Sequence, residues 1–308
     1  NPHDLLTRSQ VIEGVVSAYF LDASTLADLL PDVIVVQRWI ERDQLAMLKQ
    51  YRSRSSAFIV FELDDLITDI PCNNQASRLF HRDTFDRLKA GLAFCDRLVV
   101  STPYLAEVYG SLAPDVVVAR NALPADPWKS LIGARFLHDR PRVGWAGAAG
   151  HLGDLKVLYQ VVRATAKEVD WVFLGPVPNA LARYAVEVHP LVPIDQYPEK
   201  LASLGLDLAV APLEVHPYND AKSNLRLLEL GVMGYPVICS DGVRAFDCDL
   251  PVVRVPNDPD SWISAIRAAV SDLDALEQCG IDLRYAVLGD CMLDSCVPLW
   301  SAAWGVSA

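Results

Sequence analysis

Short runs of Val and Ile recur along this chain, each bounded by turn residues and each followed by a stretch of helical periodicity. In the first half they are Asp32–Gln37, Ala57–Glu62, Arg97–Ser101 and Asp115–Ala119. Strands that are apolar along their whole length need cover on both faces. Such strands alternating with helices specify parallel sheets joined by crossover helices. Gly14–Leu21 reads as one further strand, and helices are expected at 41–53, 75–93 and 103–112, with Pro103 suited to the first turn of the last. Residues 120–141, holding Pro124, Pro127 and Pro141, read as a linker. The alternation then restarts, with strands expected at 142–146, 170–174, 186–189, 207–211, 236–239 and 251–255. Helices are expected at 153–168, 196–203, 222–233, 259–272 and 274–287. Two such α/β units in 308 residues give a two-lobed molecule, divided as 1–140 and 141–308. Its ligand is expected in the cleft at the carboxyl ends of the strands.

Composition narrows the classes of function. Against 39 Asp and Glu stand 27 Lys and Arg, a formal charge of −12, which argues against nucleic acid as a partner. The first half is the less acidic, with Arg38, Arg42, Lys49, Arg52 and Arg54 in one helical stretch and Arg78, Arg82, Arg87, Lys89 and Arg97 in another. Solvated helix faces account for most of these; a minority could draw an anionic acceptor or a membrane surface. Seven cysteines without a C-x-x-C pair suit reduced, buried thiols in a cytoplasmic protein better than a zinc site or a disulfide framework. No apolar run reaches the roughly 18 residues of a membrane span, and the chain opens at Asn1 rather than Met, as a trimmed chain or a piece of a longer polypeptide would.

Two segments carry candidate chemistry. In Gly144–Asp154 a strand runs into a loop of small residues ahead of a helix, and Gly147, Ala148 and Gly150 would let a phosphate approach the backbone. The glycines are spaced by three, unlike G-x-G-x-x-G, and no P-loop Lys follows. A tight turn with Asp154 near the helix N-terminus explains the segment equally well. In Pro217–Ile238, Lys222, Arg226 and Glu229 fall at i, i+4 and i+7, on one face of the expected helix. A cation at the N-terminal end opposes the helix dipole, which makes sense where an anion such as a diphosphate sits between them. Ser223 and Asn224 adjoin it. Asp64 and Asp65 end a strand facing the cleft, where they orient hydroxyl groups or cap a following helix. His151 lies in the same small-residue loop and is placed to bond a ligand there. His81, His189 and His216 have no spacing that suggests a metal or a triad, and Trp262, Trp300 and Trp304 read as packing residues of the closing helices.

The run Leu228-Glu229-Leu230-Gly231-Val232-Met233-Gly234-Tyr235-Pro236-Val237-Ile238 resembles the E-x-M-A-x-G-x-P-V-I signature of the retaining glycosyltransferases of group 1 (family 4), which have the GT-B fold of two Rossmann-like lobes about a central cleft. Lys222-Ser223-Asn224-Leu225 resembles a bacterial branch of O-antigen and other surface-polysaccharide enzymes. Gly144-Trp145-Ala146-Gly147 with His151 and Asp154, Phe61–Leu66, Ser101-Thr102-Pro103 and Arg120-Asn121 are similar to further landmarks of it. The resemblance covers roughly 32–304 and is most specific over 142–242. It implies a metal-independent, hexosyltransferase-like enzyme that moves a sugar from a nucleotide-sugar donor to a glycan or lipid-linked acceptor, at the cytoplasmic face or peripheral to the inner membrane. Glu229 would bind the ribose hydroxyls, Lys222 the diphosphate with help from Arg226, Gly147 to Gly150 the phosphates or the sugar, and His151 the donor sugar or phosphate. The transfer would occur on one face of the sugar with the leaving phosphate assisting, so no protein nucleophile is assigned.

One position departs from the pattern. The family's E-x7-E pair puts its first Glu at 221, where this chain has Ala221. The first lobe is also short, lacking the usual first strand and its glycine-rich turn. These features keep a second reading open, a catalytically weak module that binds nucleotide sugar or glycan within a larger polypeptide. A sugar-nucleotide epimerase on the same fold is a third.

Overall fold

A computed structural model describes residues 1–306 apart from 73, 79 and 81. The chain forms two parallel sheets. The first contains β1 (Val33–Gln37), β2 (Phe58–Leu63), β3 (Arg97–Val100) and β4 (Val116–Val118) in the order β1-β2-β3-β4. The second contains β5 (Arg142–Ala146), β6 (Asp170–Leu174), β7 (Ala185–His189), β8 (Leu208–Ala211), β9 (Val237–Ser240) and β10 (Val253–Val255) in the order β10-β9-β8-β5-β6-β7. Every neighbouring pair is parallel. No described helix is long and apolar enough to cross a membrane.

The two orders wind differently. In the first sheet the chain advances in one direction, and right-handed crossovers then place every connecting helix on the same face. Alternate residues record this. Ile59, Phe61, Leu98 and Val100 pack with Leu48, Tyr51, Leu88, Leu92, Leu105 and Tyr109 of helices Arg42–Arg54, Thr84–Leu92 and Pro103–Tyr109. Val60 and Val99 point the other way, into a core supplied from the two ends of the chain: Leu5 and Leu6 of helix Pro2–Arg8, and Trp300, Ala303 and Trp304 of helix Val297–Trp304. The closing tryptophans are thus packing residues, as is Trp262 against the second sheet.

The second sheet is wound on both faces. Leu158, Val161, Val162, Trp262 and Ile266 cover one side, and Leu201, Leu227, Leu228, Leu230, Leu283 and Val287 cover the other. The order reverses between β5 and β8, and the carboxyl ends of those two strands open a crevice there.

Some expected elements differ. Gly14–Leu21 is not a strand. It crosses helix Arg42–Arg54 instead of pairing with the free edge of β1. Tyr51 Oη accepts the Leu21 N–H at 2.7 Å and donates to the Leu21 carbonyl at 3.2 Å, and the Phe20 ring meets Trp39 edge-on at 5.3 Å. Val15 and Tyr19 stay exposed, so the apolar run gains no sheet burial. The expected helix 75–93 divides into a 3₁₀ turn, Gln75–Arg78, and helix Thr84–Leu92; positions 79 and 81 within it, His81 included, lie outside the described residues. Helix 153–168 begins as a 3₁₀ turn at Asp154–Val157 and becomes α-helical only over Leu158–Thr165. Segment 120–141 is anchored: the Leu123 N–H donates to the Cys291 carbonyl at 3.0 Å, and Trp128 is buried. Among the basic residues, Arg52, Arg87 and Arg97 are ion-paired with Asp96, Asp83 and Asp115.

Helix Leu225–Val232 is held against helix Leu273–Asp290 by two glycines. A Cβ on Gly280 would stand 2.2 Å from the Gly234 carbonyl oxygen, and one on Gly231 would stand 2.8 Å from Leu283. The Gly280 contact is with backbone and cannot be relieved by a rotamer change. Gly280→Ala is therefore expected to destabilise the protein by about 1–3 kcal/mol in denaturant unfolding; an unchanged midpoint would show that the two helices can move apart freely.

Candidate functional site

The crevice at the β5/β8 reversal faces the carboxyl ends of the first sheet, and the seam encloses a cavity of about 210 Å³. The second lobe supplies Trp145, His151, Lys222, Ser223, Arg226 and Glu229 to its lining; the first supplies Asp64, Asp65 and Asn121. Of the residues singled out in the sequence, Asp64, Asp65, His151, Lys222, Ser223, Arg226 and Glu229 therefore meet around one space.

Lys222 reaches it by a different route from the expected one. The chain makes a short helix Pro217–Asp220, turns, and starts the next helix only at Leu225, so Lys222, Ser223 and Asn224 form the connection. They do not share a helix face with Arg226 and Glu229. Asn224 caps the second helix, its carbonyl accepting the Leu227 N–H at 2.8 Å, and is not among the lining residues. The Lys222 ammonium lies 4.5 Å from the centre of the Tyr218 ring. Burial pushes its pKa down, against the opposing pull of Asp65 and Asp154. Ser223 Oγ accepts from Asn121 Nδ2 at 3.0 Å across the seam.

Arg226 and Glu229 form a pair at 3.1 Å, one turn apart. Tyr197, which no sequence pattern marked, completes the group. Its hydroxyl donates to Glu229 Oε2 at 3.2 Å and accepts from Arg226 Nη1 at 2.5 Å. It comes from helix Tyr197–Ala202, far away in the chain, and only the wound sheet brings it there. Burial raises the Glu229 carboxyl above its usual range, with Arg226 and Tyr197 opposing.

On the facing lobe, Asp65 lies 3.8 Å from Arg38. Burial, then the neighbouring Asp64, raises its pKa, and Lys222, Arg38 and His151 oppose this. No helix follows Asp64 and Asp65 directly, so capping does not explain them.

The small-residue loop is chiefly a joint. A Cβ on Gly147 would come within 2.4 Å of the Trp145 ring, and one on Gly175, at φ +114°, within 1.9 Å of the Gly147 carbonyl oxygen. The close approach that requires glycine at 147 is thus to the protein itself. Ala148 and Gly150 are exposed, and the Gly150 carbonyl accepts from Asn74 Nδ2 at 3.2 Å. Gly147, Ala148 and Gly150 do not line the cavity. His151 does, with Nδ1 at 2.9 Å from Asp154 Oδ2.

His216 and His189 have ordinary partners. His216 Nδ1 accepts the Tyr218 N–H at 3.0 Å, and His189 lies 2.8 Å from Glu187. Ala221, at the position of the missing Glu, is fully buried in the first lobe's core, and its carbonyl accepts the Thr102 hydroxyl at 3.1 Å.

Neither a family model nor a curated protein sequence matches the chain. Solved structures do. A sucrose-phosphate synthase from Thermosynechococcus elongatus superposes with a TM-score of 0.65 at 15% identity, over 92% of this chain and 75% of that one. A UDP-forming α,α-trehalose-phosphate synthase from Burkholderia xenovorans, in complex with glucose-6-phosphate, does so at 0.64 and 13%, over 92% and 75%. A glycosyltransferase from Rickettsia africae gives 0.61 and 11%, over 98% and 82%. The fold is GT-B. The chain spans about three quarters of the length of the first two structures.

In this GT-B chain the seam itself makes a pH dependence. Burial, assisted by Lys222 and Arg226, lowers the His151 pKa from 6.5, with Asp154 opposing. Below pH 6.5 the unfolded chain therefore takes up a proton that the folded chain refuses, and stability falls on acidification until the folded pKa is reached. His151→Gln should flatten this part of a stability profile measured by denaturant unfolding between about pH 5 and 7. Parallel profiles for the two proteins would refute the buried, neutral histidine.

Proposed function

We propose that the chain is a retaining glycosyltransferase that moves a sugar from a nucleotide-sugar donor to a glycan or lipid-linked acceptor of a surface polysaccharide. In place of a single division at 140, residues 1–122 with the returning segment 293–306 form the acceptor side and 123–292 the donor side. The observation that carries this reading is the convergence of Lys222, Arg226 and Glu229 with Asp64, Asp65 and His151 around one cavity at the β5/β8 crevice. A neighbouring fold described as a UDP-forming synthase supports a nucleoside diphosphate as the leaving group.

Glu229 takes a ribose hydroxyl through Oε1, since Oε2 is engaged by Arg226 and Tyr197. Lys222 faces the diphosphate in the role a metal would otherwise fill, and electrostatic stabilisation there is worth more than in water because the site is buried. The bond from the anomeric carbon to the phosphate oxygen breaks with its electron pair going to the diphosphate. The acceptor hydroxyl bonds the same face of that carbon, and its proton passes to the leaving phosphate oxygen. Asp64 and Asp65 orient the acceptor or sugar hydroxyls.

The test is calorimetric titration with UDP, GDP, ADP, CMP and dTDP without added metal. One of them should bind saturably, Lys222→Ala should abolish that binding, and Glu229→Ala should weaken it by about 1–3 kcal/mol. No binding to any of the five would refute the donor site.

A second reading draws on Ala221. Its burial in the first lobe's core leaves no place at 221 for a carboxylate that reaches the sugar. A weak module of this kind would bind the diphosphate yet give no transfer to added acceptors, whereas a competent enzyme gives both.

A further inference from the structure

We propose that Asp154 is a positioning residue that fixes the tautomer of His151, so that Nε2 meets a hydroxyl of the donor's sugar as a hydrogen-bond acceptor; this rests on the donor-site reading above. Asp154 is 4% exposed and joins three segments of the donor lobe. Its Oδ1 accepts the Glu214 N–H, from the loop after β8, at 2.8 Å. The same oxygen accepts Asn219 Nδ2 at 2.8 Å, from the short helix that leads into Lys222. Oδ2 faces His151 Nδ1 at 2.9 Å. An ionised carboxylate only accepts hydrogen bonds, so Nδ1 carries the ring proton.

The second nitrogen is then a lone pair. Lys222 and Arg226 face the ring from the connection and the helix beyond it, Asp154 from its own loop and Asp65 from across the cleft. Burial and the two cations resist a second proton on the ring. His151 lines the cavity with its side chain 23% exposed, so Nε2 can meet a ligand. A lone pair receives an O–H and repels a phosphate oxygen. Phosphate is accordingly left to Lys222, and His151 reads the sugar.

Asp154→Asn separates this role from mere packing. Its carboxamide has one acceptor oxygen, which Glu214 and Asn219 both require, and one NH₂, which then faces Nδ1. The proton moves to Nε2 and the histidine turns from acceptor to donor with its shape unchanged, as in the aspartate-to-asparagine change of a serine-protease triad. Nitrogen-15 NMR of the full chain labelled at histidine should show His151 protonated on Nδ1 in the native protein and on Nε2 in the variant. Titration should follow with the diphosphate that binds and its glucose, N-acetylglucosamine, galactose and mannose esters. Asp154→Asn should keep diphosphate affinity within about twofold while losing roughly tenfold for the preferred sugar ester. His151→Ala should lose the same sugar-specific share, and the double variant should be no worse than His151→Ala.

A native ring protonated on Nε2 would overturn the inference with the donor site intact, as would equal losses for diphosphate and ester. If Asp154→Asn fails to fold, the native tautomer and the partly exposed His151→Ala decide the matter alone. If no diphosphate binds, the donor site falls and the sugar contact with it, and the tautomer is still read directly by NMR.

Discussion

The seam between the lobes depends on one apolar burial. Tyr218 and Ala221 belong to the chain of the second lobe, yet they lie within the core formed by the first sheet and its helices. The Thr102 hydroxyl, at the N-terminus of helix Pro103–Tyr109, bonds the Ala221 carbonyl and fixes this intrusion. The next residue is Lys222, so its ammonium emerges from an apolar wall directly into the cavity. The low-dielectric setting that lowers its pKa also raises that of Asp65 opposite. Neither shift has a packing benefit of its own. Groups held against their solvation in a cleft are the arrangement the proposed function calls for, and packing alone does not call for it.

The two cations that line the cavity, Lys222 and Arg226, divide accordingly. Arg226 is tied through one nitrogen to both Glu229 and Tyr197, and its effect is to hold a carboxylate in place. Lys222, backed by the ring of Tyr218, keeps its charge toward the cavity. A guanidinium forms such fixed, planar attachments well, whereas an ammonium acts as a point charge, so the residue types suit the two positions.

Much of the architecture was legible because central parallel strands are apolar on both faces. β5 is buried along its whole length, and the runs that mark β1 to β10 are the runs that pair. The same signal misled at Gly14–Leu21, since an apolar run can lie across a helix as readily as beside a strand. The helix pattern over 222–233 overran its true start because Lys222 and Arg226 keep helical spacing while the backbone between them turns. Gly147 looked like a phosphate turn, but the atoms that crowd it are Trp145 and Gly175. Tyr197 and the role of Asp154 were not legible. Tyr197 acts through partners on a helix dozens of residues away, and Asp154, though three residues from His151, is held by Glu214 and Asn219, which only the winding of the second sheet brings to it.

The winding of the first sheet has a further consequence. Because its crossovers leave one face bare, helix Val297–Trp304 returns from the second lobe to cover it. Trp304 Nε1 then donates to Glu62 Oε1 at 2.7 Å, two residues before Asp64. The first-lobe carboxylates are thereby braced by a helix that follows the whole second sheet in sequence. The chain passes between the lobes twice, near 123 and near 292, and the two passages are bonded together: the Leu293 N–H donates to the Leu123 carbonyl at 2.7 Å. Any rotation of one lobe against the other must bend both passages together. The passages meet at a single parallel bridge, Leu123 with Met292, and the burial of Tyr218 and Ala221 in the first lobe's core opposes such a rotation at the seam.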